Sequence, residues 1–145
     1  MPTTAPTTAI ATLLPHQLPE APATRILLYA FRRMAAHGLH DAQATQAMLA
    51  AFGGRFQRPL IALRALVADL SANAGGPIRI APCCCCRMTG AEAALLQSLS
   101  RAERHPETAR LLLADLAGIR HADGLFATAM LVAGAWADMG HPVTV

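Results

Sequence analysis

Four consecutive cysteines, Cys83-Cys84-Cys85-Cys86, are the residues of this 145-residue chain whose type and spacing most plainly carry chemistry. Arg87 follows them directly, and Thr89-Gly90-Ala91-Glu92 comes two residues later. Thr89 and Glu92 have the spacing of a capping box, so a helix starts there. A helix start carries positive partial charge, and with Arg87 it makes surroundings that favour thiolate, the form that binds metal or attacks a disulfide. Geometry limits what the four can do together. In extended backbone, neighbouring side chains point to opposite sides, so four consecutive thiolates cannot all close on one tetrahedral ion. In a helical turn Cys83 and Cys86 face the same way, and they form a Cys-x-x-Cys pair, with Cys84 and Cys85 as additional thiolates. A complete site then takes ligands from elsewhere in the chain or from a second subunit. His37 and His40, spaced His-x-x-His, are the first intrachain candidates, and His121 is the next.

Soft thiolates point to zinc, Cu(I) or an iron–sulfur cluster, and zinc is the expected ion because mixed Cys/His tetrahedra are its usual structural sites. Thiol redox or sensing is the related reading. Against both stands the plain one, in which cysteine packs as a small buried hydrophobe. A thioredoxin-like role needs a βαβ context, and here three predicted helices precede a single short extended segment. His37-Gly38-Leu39-His40-Asp41 also reads as a helix C-terminus, a turn glycine and an N-cap, while His105, His121 and His141 sit at element boundaries. No phosphate loop, nucleophile elbow or His-Glu-x-x-His helix occurs, and the carboxylates are scattered, so no catalytic set is legible. An enzyme is therefore the less expected class.

The elements that must position these residues are helices. Five prolines interrupt residues 1–22, which carry one charge, Glu20, and are expected to form a disordered or extended arm. Within it Ile10, Leu13, Leu14 and Leu18 are apolar enough to lie on the domain surface. Residues 23–145 form the helical domain. Leu27, Ala30, Phe31 and Met34 recur at helical spacing and predict a helix over 23–36 that ends at Gly38. Asp41 caps a second helix running to about Phe52, and Pro59 opens a third with Leu60, Leu63, Leu66, Val67 and Leu70 as its stripe. Ile78-Arg79-Ile80 alternates like a strand and is expected to pair with the tail, residues 142–145, as a minimal ribbon. The capping box opens a fourth helix, Pro106 a fifth and Asp123 a sixth. The fold class is all-α, a single bundle of about five or six short helices.

Composition agrees with this and narrows function. Hydrophobic residues make up 54 % and charged residues 14 %, a balance that suits close-packed helices. All 12 basic residues are Arg, and they are scattered, with Arg32-Arg33 the one doublet, so a polybasic nucleic-acid or lipid surface is not indicated. The second and third helices could mimic a helix-turn-helix, but the presumed reading helix is mainly apolar. The first basic residue is Arg25, which does not fit a signal peptide, and the uncharged run from Gly124 to Ala137 is short of the roughly 20 residues of a span. A cytoplasmic address without membrane contact is expected, where thiols stay reduced and a cysteine cluster is metal-binding or redox-active.

The stretches Arg32-Arg33-Met34-Ala35-Ala36-His37-Gly38-Leu39 and Ala81-Pro82-Cys83-Cys84-Cys85-Cys86-Arg87-Met88-Thr89 resemble the shared motifs of an uncharacterised bacterial family, short Ala- and Arg-rich proteins classed as a domain of unknown function. The resemblance spans most of the chain beyond the arm and implies no activity. Two functional expectations follow from the residues. In the first the chain binds a soft metal ion or senses redox state through Cys83–Cys86, completed by His37 or His40. In the second it is a helical interaction protein, a homo-oligomer or an accessory subunit, with inert cysteines, because so apolar a chain calls for a partner to cover it.

Overall fold

The computed structural model describes residues 14–145. Among them are six α-helices: α1 (Pro22–His37), α2 (Ala42–Phe52), α3 (Gln57–Asn73), α4 (Gly90–Arg101), α5 (Pro106–Ala117) and α6 (Asp123–Asp138). A two-stranded antiparallel ribbon joins β1 (His16–Gln17) to β2 (Arg87–Met88). The all-α bundle of the sequence reading is what the chain forms.

The helix boundaries follow local chemistry. Asp41 caps α2 by accepting from the amide of Ala44, and Gly38 ends α1 at φ 105°, a backbone state that disfavours any side chain. Thr89 and Glu92 form the full capping box at the start of α4. The third helix begins two residues before Pro59, because a proline in the first turn removes only an amide that lacks a helical acceptor.

The main packings are α1 on α2, α3 on α6 and α4 on α5. One continuous apolar core results, with Leu27, Met48, Leu63, Leu66, Leu95, Leu96, Leu113, Val132 and Trp136 almost fully buried. Trp136 is its largest member: its ring meets Phe52 edge-on at 5.3 Å, and its indole N–H donates to the carbonyl of Ala23 at 3.0 Å. That bond satisfies the one polar group of a buried indole. Gly75 lies where the loop after α3 crosses the end of α5. Its amide donates to Ala117 O at 2.8 Å, and an added Cβ would stand 2.5 Å from Gly118 O.

The ribbon is a correction. The extended segment Ile78–Ile80 does not pair with residues 142–145; the arm's His16–Gln17 pairs with Arg87–Met88 just after the cysteines. The polar groups of the expected partners are engaged elsewhere. The amide of Thr144 donates to the Thr24 hydroxyl, Val143 is buried, and the carbonyl of Arg79 accepts from Thr89. Leu14 and Leu18 lie partly buried along the bundle, whereas Ile10 and Leu13 fall outside the described residues.

A candidate thiol site

The cysteine loop is built on a β-turn rather than a helical turn. The amide of Cys85 donates to Pro82 O at 3.0 Å, which places Cys83 and Cys84 at the turn's centre. Exposure then alternates: Cys83 and Cys85 are half-buried, Cys84 and Cys86 exposed, and all four are free thiols. The outer pair that a helical turn would have matched is thus divided between the two exposure classes. The four cysteines line one hollow of about 230 Å³ together with Arg25, Tyr29 and Arg32.

A single buried side chain locks this loop to the bundle. Arg32 lies on the inner face of α1, 2 % exposed, and its guanidinium grips Glu92 side-on, Nε to Oε2 at 2.6 Å and Nη2 to Oε1 at 3.0 Å. It also donates to the backbone carbonyls of Cys85 at 2.9 Å and Arg87 at 2.8 Å, one on each side of Cys86. Glu92 in turn accepts from the amides of Ala81 at 3.3 Å and Thr89 at 2.9 Å, so the pair fixes the chain both before and after the four thiols. A buried ion pair needs such additional bonds to offset its desolvation. On the outer side Arg87 donates to the carbonyls of Leu14 and Pro15 at 2.7 and 3.1 Å, tying the arm over the loop's end.

The neighbouring Arg33 faces outward. It forks onto Asp41 at 2.9 and 3.0 Å, with the Cys83 side chain close by. The Asp41 bond raises Arg33 above its already high range, and the guanidinium holds the Asp41 carboxyl down at about 2. His37 is exposed and shares with Cys83 a groove of about 510 Å³ between the end of α1 and the Ile78–Pro82 segment. His40 and His121 are exposed and line neither hollow. Among the described residues no three His, Cys, Asp or Glu side chains converge as metal ligands, and residues 1–13 contain none of those four types. The structure therefore brings His37 to the edge of the thiol loop without assembling a tetrahedron from one chain.

Arg32 is the residue that motif reading passes over. Its signal is periodicity: it falls one turn after Leu28, on the stripe with Leu27 and Phe31 that packs into the core. An arginine on a buried face requires a carboxylate, and the capping-box glutamate is the one the loop delivers.

Among the described residues, no helix is long and apolar enough to cross a membrane. No curated protein and no solved structure is significantly similar to the chain. A family profile does match, over residues 7–115, a span that takes in α1, the cysteine loop and α4 and stops before α6. The Arg32 clamp, the thiol loop and the capping box that supports it all belong to the matched span, and the chain is a member of DUF6628, a family of unknown function.

Proposed function

We propose that this is a cytoplasmic helical protein that works through the thiols of Cys83–Cys86, holding a soft metal ion, zinc in the first instance, or responding to oxidants as a thiol sensor. The observation that supports this reading is exposure. Free cysteine is among the most buried residue types, yet none of these four is buried, and the backbone that carries them is clamped rather than loose. Thiols serving as small hydrophobes would lie in the core. Rigid backbone beneath exposed ligands is what a binding site needs, since it lowers the ordering cost of capture. Arg25 in the same hollow and Arg33 beside Cys83 supply positive charge to balance a metal–thiolate centre.

The test is the elemental content of protein purified without oxygen or affinity-column metal, beside a variant with all four cysteines changed to serine. Near-stoichiometric zinc, copper or iron that disappears in the variant is expected. If no metal is found, the sensor form requires that mild peroxide consume thiols in the folded wild-type protein. The absence of both bound metal and thiol oxidation would overturn the reading.

One observation favours a second reading, a helical interaction protein. Between Asp123 and Asp138, α6 carries no charged residue, and Met130 and Leu131 stay 36 and 58 % exposed, with Ile61 of the neighbouring α3 at 63 %. Sedimentation of the four-serine variant separates the two: association that persists without thiols belongs to this face.

A further inference from the structure

The two exposed thiols have half of what a zinc ion requires. Resting on the thiol-site reading above, we infer that Cys84 and Cys86 form one half of a Cys₄ zinc site that is closed by the same two residues of a second copy of this chain. Three observations lead there. Cys84 and Cys86 are the exposed members of the alternating run, and both line the hollow that holds Arg25. With Zn–S bonds of about 2.3 Å, tetrahedral sulfurs stand roughly 3.8 Å apart, a separation that side chains at i and i+2 can reach. The loop's own chain offers them no third ligand, for no three His, Cys, Asp or Glu side chains converge among the described residues and the first thirteen residues have none to add.

Two protein ligands and two waters would make a weak, open site; structural zinc takes four protein ligands. A two-fold axis through the ion supplies them with no further sequence requirement, because an isologous contact presents the same pair from both copies. Charge allows the approach. A zinc ion with four thiolates carries two negative charges, whereas each chain carries a net +3 and places Arg25 in the hollow beside the thiols. The Arg32 clamp on the carbonyls of Cys85 and Arg87 brackets Cys86, so one half-site is held in shape before the second arrives.

The experiment titrates reduced, metal-free protein with zinc sulfate and follows bound zinc and molar mass together, by native mass spectrometry and light scattering. The expected result is about one zinc ion per two chains, with the mass doubling over the same range and returning on chelation. Cys84→Ser/Cys86→Ser should lose both uptake and dimer, whereas Cys83→Ser/Cys85→Ser keeps both. None of the four positions is buried, and circular dichroism checks the fold. One zinc ion per chain at unchanged mass would overturn the shared site and leave the thiol-metal reading standing. No zinc uptake at all would overturn the shared site and the zinc form of the thiol reading, leaving its copper, iron and sensor forms to the elemental and peroxide tests above. A dimer that forms without zinc and survives in Cys84→Ser/Cys86→Ser would also overturn the inference, since the ion would not be what joins the copies.

Discussion

Arg32 and Arg33 are neighbours on one helix, and each forks onto a carboxylate that caps the start of another helix: Glu92 at α4 and Asp41 at α2. Their surroundings differ. The Arg32–Glu92 side chains are 2 and 0 % exposed and join segments 60 residues apart; those of Arg33–Asp41 are 16 and 10 % exposed and join residues eight apart. The same two functional groups thus serve as a long-range core element in one case and as a local surface tie in the other. Burial sets the difference. In the interior a lost partner strands a charge, whereas at the surface water replaces it.

The largest effect should come from Arg32→Ala. It leaves the Glu92 carboxylate buried beside the unpaired carbonyls of Cys85 and Arg87, and removing one partner of a buried pair costs about 3–5 kcal/mol. Urea unfolding monitors the loss, and faster labelling of the cysteines in the folded protein monitors the freed loop. The comparison sharpens with the double variant Arg32→Met/Glu92→Leu. Apolar replacement of a buried pair is often neutral, but here the amides of Ala81 and Thr89 also lose their acceptor. Recovery should therefore be incomplete. A double variant as stable as wild type would mean that water takes over those four backbone groups.

Trp136→Phe provides an apolar yardstick. It removes the donor to Ala23 O and leaves part of a core site unfilled, for a loss of about 1–3 kcal/mol. Because this residue lies apart from the cysteine loop, cysteine labelling should not change. If labelling rises as it does in Arg32→Ala, the loop responds to global stability and not to its clamp. Smaller again is Thr89→Ala, which removes the N-cap of α4 and the donor to Arg79 O, at a cost of about 1 kcal/mol in the same urea assay.

What could be read from the sequence follows the range of the interactions. The capping box at Thr89–Glu92, the Asp41 cap and the Gly38 stop are short-range chemistry, and each forms where its residues predict. The apolar stripes of α1 and α3 are likewise legible, since periodicity records which face is buried. Long-range pairing was not. Ile78–Ile80 alternates as a strand does, but whether an extended segment finds a partner depends on what else claims its backbone groups, and here Thr89 takes the carbonyl of Arg79. The exposure of the cysteines was likewise undetermined, because it depends on a turn closed by Pro82 and Cys85 and on an arginine 53 residues away.

The surface pair gives the smallest effect and the cleanest reading of charge. Asparagine caps a helix about as well as aspartate, so Asp41→Asn keeps the acceptor for Ala44 N and removes only the charge facing Arg33. Arg33 lowers the Asp41 carboxyl from its usual 3.8 to about 2. A carboxyl depressed by folding contributes stability that is fully present above its unfolded value and is lost as pH falls towards its folded value. Wild-type urea midpoints should thus drop more steeply than those of Asp41→Asn between pH 3.8 and about 2, while the two run parallel at higher pH. Raising the salt concentration should narrow the gap, as screening acts on a pair within reach of solvent. If the gap is as wide in concentrated salt as in dilute buffer, the Arg33–Asp41 tie is shielded from solvent ions, and burial would no longer account for the contrast with Arg32–Glu92.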